Sequence, residues 1–358
     1  MRARFASARV TRVIGLAIVA LAAGVGTGRA GDPARYLPPP GAPYGAEEVG
    51  VRSQELHYLS GTLTAPYDGK RHPAVVLISD VGRHDRDQAP SQLSPYRPFF
   101  QIADTLSRRG FAVLRLDDRG VGASTGSLDS ATTWDRSFDT RAAVEYLRKR
   151  PDINKHKIAL LGIGEGGAIA PMIAADDSLL ACVVLMAAPA EEGRDLRAPD
   201  HRGPQGVRDT NAARHDSTAE RRDTASARPP NLEVIVGADP WARYFSGYEP
   251  LATARRVRVP ALLLHGAADR VVPPGDTELL AAAMRGAGNR SVTTKIFDGL
   301  GHDFLRVGEA TGALAAADSV KVPAVVLGAI ADWLVKELNP AAEPKVPPPP
   351  AHRSRHRH

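Results

Sequence analysis

The chain has 358 residues, 43% of them hydrophobic, with 46 lysines and arginines against 40 aspartates and glutamates and a formal net charge of +6. That length and apolar content suit a globular chain with a sizeable core, while the basic excess lies at the two ends and no basic stretch interleaved with aromatics runs through the middle, which argues against a nucleic-acid-binding core. Cys182 is the only cysteine, so an intramolecular disulfide and a CxxC metal site are both excluded, and its place in the apolar run 179–186 reads as a small core hydrophobe.

Residues 1–30 read as a secretory signal. Arg2, Arg4, Arg9 and Arg12 form a basic start, Val13 to Gly26 an apolar stretch, and Gly28-Arg29-Ala30 a small-residue cleavage site. The run is short and glycine-rich for a membrane span, and no cysteine follows it to carry a lipid. Export to the periplasm or the exterior is expected, with no stable span once the signal is removed. Residues 31–46 are rich in proline and glycine and are expected to be a flexible lead-in to a domain over 47–338.

From Glu48 to Ala65 polar and apolar residues alternate, the pattern of an antiparallel hairpin. Ala74–Ser79 is a short continuous apolar run, a buried strand. Tyr96–Arg109 has helical periodicity and is stopped by Gly110, and Phe111–Asp117 is the next strand. Thr132-Thr-Trp-Asp135 has the form of a capping box opening a helix whose apolar face is expected to carry Trp134, Phe138, Ala142 and Tyr146. The segment Ile158–Ala170 starts as an apolar strand, breaks at glycines and resumes as a small-residue helix. A strand around Cys182, strands at Ala261–His265 and Val292–Phe297, a helix from Asp276 and a last helix Ala324–Leu338 complete the series. Strands alternating with helices in this way predict a mostly parallel twisted sheet covered by helices on both faces, with the antiparallel hairpin at its N-terminal end.

Two stretches depart from that pattern. Residues 191–230 mix arginine with acidic residues, glycine, proline, serine and threonine and have hardly any large apolar side chain, so they are expected to be disordered. The tail 339–358, with Pro347 to Pro350 and a basic end, is expected to be extended and disordered as well.

The strand–turn–helix at 158–170 has the frame of a nucleophile elbow, G-x-S-x-G, but it reads Gly162-Ile163-Gly164-Glu165-Gly166. Together with Ser60–Thr64, Pro73–Ser79, Asp85-Arg-Asp87, Ala112–Gly122, Ser124-Thr-Gly126 and Pro240-Trp241, it resembles the α/β-hydrolase fold. The resemblance is closest to bacterial secreted serine hydrolases of the acyl-esterase and serine-aminopeptidase type, and it covers residues 47–190 and 239–338. It implies a triad in chain order serine, acid, histidine. The acid position matches Asp269 and the histidine matches His302, while Gly164 stands where the nucleophile would be. The backbone amides of Val81 and Glu165 match the oxyanion-hole positions.

Three features depart from the resemblance. The nucleophile is replaced at Gly164. The oxyanion loop, typically Gly-Ser-Gly, reads Asp80-Val81-Gly82, which brings a carboxylate that would oppose a developing oxyanion if it faces the site. The helical cap of such hydrolases is replaced by the charged stretch 191–230. Ser124 and Thr125 have no base placed beside them in the sequence, and His84, Asp85, Asp87 and His302 match no metal-ligand spacing, so neither a substitute nucleophile nor a metal or other cofactor is expected. The expectation is an exported, non-catalytic member of an esterase lineage that binds a small acyl- or ester-like ligand or acts as a scaffold. The alternative is residual ester or peptide hydrolysis by water positioned by His302 and Asp269. The sequence leaves the oligomeric state open.

Overall fold

The structure, a computed structural model, describes residues 33–53, 57–91, 94–191, 240–307 and 320–339. The expected signal at 1–30, nearly all of the charged stretch 191–230 and the tail after Asn339 lie outside the described residues.

Alternating residues build the first hairpin, β1 (Tyr44–Arg52) with β2 (Tyr58–Pro66), paired antiparallel with Gly61 opposite Val49. The apolar runs then form β3 (His72–Ile78), β4 (Ala112–Leu116), β5 (Ile153–Ile163), β6 (Cys182–Met186) and β7 (Ala261–Gly266), and the more polar β8 (Val292–Phe297) follows at the edge. Among the described residues they form one eight-stranded sheet in the order β1-β2-β4-β3-β5-β6-β7-β8, antiparallel at β1–β2–β4 and parallel from β4 through β8. The strand order reverses around β3 and β5, and a crevice at the carboxyl ends of such strands is where an open α/β sheet holds its site.

Helices cover both faces, as strands buried on both sides require. On one face α1 (Pro98–Arg108) and α7 (Ala324–Leu338) pack Ile102, Leu106, Ile330 and Leu334 against Val113, Leu161 and Val184. On the other, α2 (Thr133–Arg148), α3 (Glu165–Ala174) and α6 (Gly275–Gly286) bury Leu147, Ile169 and Leu280 against Val76, Leu160 and Leu263. Cys182 is fully buried in the first of these layers. The short helices α4 (Pro240–Phe245) and α5 (Pro250–Ala254) follow, and Trp241 and Phe245 of α4 close over Ala168 and Met172 of α3. No helix among the described residues is long and apolar enough to cross a membrane.

Two expectations are corrected. The lead-in 31–46 is not wholly flexible: Pro33–Tyr36 form a 3₁₀ turn, the Arg86 guanidinium lies 4.3 Å from the Tyr36 ring centroid, and β1 already starts at Tyr44. The proline and glycine content concealed these aromatic anchors. In α2 the capping box forms as expected, Thr132 accepting from the Asp135 amide and Asp135 accepting from that of Thr132. Its inward face, however, is Thr133, Arg136, Ser137, Thr140, Val144 and Leu147, and Trp134 is 43% exposed. The inward face is partly polar because Arg136 bonds the Ser79 and Asp80 groups just after β3, while the Thr140 hydroxyl is satisfied by its own helix at the Arg136 carbonyl oxygen.

Candidate functional site

The elbow forms where glycine spacing demands it. A Cβ on Gly162 would lie 2.1 Å from the Gly166 carbonyl oxygen, and one on Gly166 would lie 2.2 Å from that of Ile78. Only bare backbone lets β5 turn so tightly into α3. Gly164 takes φ 53° and ψ −116°, a conformation that strains any residue with a side chain.

Asp80, from the loop after β3, lies against Gly164. A Cβ on Gly164 would lie 1.9 Å from Asp80 Oδ1, so the Asp80 carboxylate occupies the space a side chain at 164 would need. The Glu165 amide donates to Asp80 Oδ1 at 2.8 Å and the Val81 amide donates to the same oxygen at 2.6 Å. These are the two amides, one after the nucleophile position and one from the β3 loop, that build the oxyanion hole of this fold. The N-terminus of α3 adds its dipole in favour of the negative charge. Sequence reasoning foresaw a carboxylate that would repel an oxyanion. In the structure that carboxylate faces the two amides and accepts a hydrogen bond from each.

His302 and Asp269, distant in the chain, lie within hydrogen-bond distance of each other. His302 Nδ1 donates to Asp269 Oδ2 at 2.8 Å and Nε2 donates to Asp80 Oδ2 at 3.0 Å. Asp269 Oδ1 accepts from the Val271 amide at 2.8 Å and the Val272 amide at 3.0 Å, which holds the acid in its turn after β7. His265, which sequence reasoning did not single out, completes the row: its Nε2 lies 3.0 Å from Asp269 Oδ2 and 2.9 Å from the Val272 carbonyl oxygen. Two acceptors there put the proton on Nε2, leaving Nδ1 to accept from Thr277 Oγ1 at 2.7 Å. All of Asp80, His265, Asp269 and His302 are buried.

The charges in this row fix its protonation. Burial would lower the His302 pKa, but hydrogen bonds to Asp269 and Asp80 and the charge of both carboxylates push it up from 6.5 to about 10. Burial would raise the Asp269 pKa, yet hydrogen bonds from His265 and His302 and the charge of His302 hold it well below the usual carboxylate range. At neutral pH His302 is therefore an imidazolium, held between Asp269 and Asp80.

A second buried network sets the Asp80 loop. The Arg136 guanidinium pairs with Glu165, donates to the carbonyl oxygen of Asp80 at 3.1 Å and to Ser79 Oγ at 2.6 Å, and reaches Asp118 at 3.3 Å. Gln88 Oε1 accepts from the Asp80 amide at 3.1 Å. The residues of the Asp85-Arg-Asp87 motif brace the loop from behind. Asp85 accepts from the Asp87 and Ala89 amides, Arg86 pairs with Asp117 at 2.8 Å and with Glu48 at 2.6 Å, and Asp87 pairs with Arg97 and Arg115. His84 Nε2 contacts the Val81 carbonyl oxygen at 2.9 Å, so these groups hold loop geometry and do not converge with His302. Ser124 and Thr125 are structural too, Ser124 Oγ accepting from the Ser60 amide and Thr125 Oγ1 from the Tyr58 amide. The signal that would have found Arg136 is a charged residue on the inward face of α2, visible only once the helix is oriented.

The family profile of X-Pro dipeptidyl-peptidase (S15 family) matches residues 57–198, and that of serine aminopeptidase, S33, matches residues 247–311. Among curated proteins, the esterase EstD of Thermotoga maritima is 26% identical over 281 residues, which are 78% of this chain and 66% of that esterase, just under two thirds of its length. The uncharacterized protein YfhR of Escherichia coli K12 is 27% identical over 239 residues, 66% of this chain and 68% of YfhR. Among solved structures, the Pyrococcus furiosus esterase Pf2001 superposes with a TM-score of 0.55 at 15% identity, covering 82% of this chain and 92% of that one. The α/β hydrolase GrgF from a Penicillium species gives 0.54 at 18% identity, covering 82% and 99%. The structural likenesses show the fold, and the profiles and curated relatives add the hydrolase lineage: this chain belongs to the α/β-hydrolase superfamily, among esterases and related hydrolases.

Proposed function

We propose that this protein is an exported, catalytically silent member of the esterase lineage that serves as a binding or scaffold protein. The observation that carries the reading is the Asp80 carboxylate seated in the oxyanion hole and bonded to His302. Catalysis in this fold needs a nucleophilic oxygen above Gly164 and an empty hole for the oxyanion, and both places are taken by one side chain. The water-based alternative needs His302 as a general base. A histidine whose pKa stands at about 10 is already protonated at neutral pH and accepts nothing from water. Export rests on the basic and apolar pattern of residues 1–30, and a small acyl- or ester-like molecule remains the expected class of ligand.

The test is hydrolysis of short-chain p-nitrophenyl esters between pH 7 and 9, with the His302→Ala variant as background, alongside labelling by a fluorophosphonate. The expected result is no turnover above the variant and no labelled serine. Turnover that disappears in His302→Ala would establish the residual hydrolase instead.

A further inference from the structure

Beside the Asp80 site lies a cavity of about 160 Å³ lined by the apolar Val81, Leu128, Ala131 and Trp241 and by Arg83, Asp129, Arg136 and Glu165. Gly82, Arg83 and Asp129 are exposed, which makes that side its mouth, and an Arg83–Asp129 ion pair of 2.6 Å spans it. Glu165 is fully buried, one carboxylate oxygen is taken by Arg136, and the other, Oε1, has no hydrogen-bond partner. A buried carboxylate oxygen left without a donor is destabilising. No step of the site described above uses it.

We propose that this cavity is a binding site for a neutral, ring-sized aromatic molecule that donates one hydrogen bond, a phenol, with Glu165 Oε1 as the acceptor. The proposal rests on the reading of the chain as a binding protein and names the chemistry its ligand must carry. Size comes from the volume, since an apolar cavity of roughly 150 Å³ holds a benzene ring. Ring character comes from the wall, where Val81, Leu128, Ala131 and the indole of Trp241 offer apolar and aromatic surface. Charge is selected against in both directions. The charged side chains of the lining are already paired, Arg136 with Glu165 and Arg83 with Asp129, so a charged ligand finds no free counter-charge there. A neutral hydroxyl donor satisfies the orphaned oxygen without adding charge, and a charge-assisted O–H···O⁻ bond is stronger than a neutral one.

The experiment is calorimetric titration of the protein at pH 7 with phenol, and with anisole as a ring of similar size that has no donor, while Trp241 fluorescence is followed. Phenol is expected to bind in one-to-one ratio and quench the fluorescence, with anisole roughly tenfold or more weaker, the difference one charge-assisted hydrogen bond makes. In Glu165→Gln the preference for phenol over anisole should shrink or invert, because an amide nitrogen can face the cavity. Should that variant misfold for want of an Arg136 partner, Ala131→Leu fills the cavity and should abolish phenol binding. No binding of phenol, equal binding of phenol and anisole, or phenol binding unchanged in Ala131→Leu would each overturn the proposal. The outcomes separate the two readings. Ester turnover with phenol still bound removes the catalytically silent reading and keeps the cavity, whereas an inert protein that ignores phenol removes the cavity alone.

Discussion

Replacing Asp80 by asparagine tests the charge arrangement with almost no change of shape. An asparagine oxygen can keep the bonds from the Val81 and Glu165 amides that Asp80 Oδ1 now accepts. Its nitrogen then faces His302 Nε2, which sits 3.0 Å from Asp80 Oδ2, and the ring must accept where it now donates. The rise of the His302 pKa from 6.5 to about 10 corresponds to roughly 5 kcal/mol at 1.36 kcal/mol per pH unit. Two carboxylates supply that stabilisation against the opposing effect of burial. Because burial opposes them, the two carboxylates together contribute more than this net rise, so removing one should bring the His302 pKa down by at least about 2 pH units. The assay is an NMR titration of the His302 ring in the wild type and in Asp80→Asn, assigned with a His302→Gln control. A wild-type His302 that titrates near 6.5, or an unchanged value in the variant, would refute the imidazolium sandwich.

Gly164→Ala should destabilise by about 2–5 kcal/mol in urea unfolding. Positive φ accounts for roughly 1–3 kcal/mol, and the rest comes from displacing a buried, triply bonded Asp80; a change under 1 kcal/mol would mean the loop yields freely. Stability should also fall at high pH. The folded His302 pKa of about 10 lies above the ordinary 6.5, so its contribution is fully present below pH 6.5 and is lost as pH rises through 10. The depressed Asp269 gives the opposite limb, present above the ordinary carboxylate value of 3.8 and lost in acid. Urea midpoints from pH 3 to 10.5 should trace both limbs, and the alkaline one should flatten in His302→Gln. Thr132→Ala removes one half of the capping box on α2 and should cost about 1 kcal/mol of stability.

Much of this fold is written in local pattern. The continuous apolar runs at 74–79 and 158–163 become central strands because both of their faces are buried. The elbow was legible at Gly162, Gly164 and Gly166 because backbone meets backbone there and no side chain fits. Asp269 and His302 were legible only through resemblance, since nothing local to either residue says that they lie 2.8 Å apart. Asp80 stood out in the sequence as an anomaly, but its meaning depends on a rotamer that the missing Cβ of Gly164 permits. His265 and Arg136 were hidden for a tertiary reason. One sits in an apolar strand and the other on a helix whose aromatic residues suggested the wrong inward face. Buried polar networks have no periodicity to read.

We propose that Asp80 and Gly164 form one replacement, a carboxylate seated where a serine and its oxyanion would be. Fluorophosphonate labelling of Gly164→Ser beside the double variant Asp80→Gly with Gly164→Ser, mapped by mass spectrometry, tests it most directly. No label is expected on the single variant, whose serine Cβ would lie 1.9 Å from Asp80 Oδ1, and label is expected at position 164 in the double variant. A single variant that labels as fast as the double one would show that Asp80 does not hold the site closed.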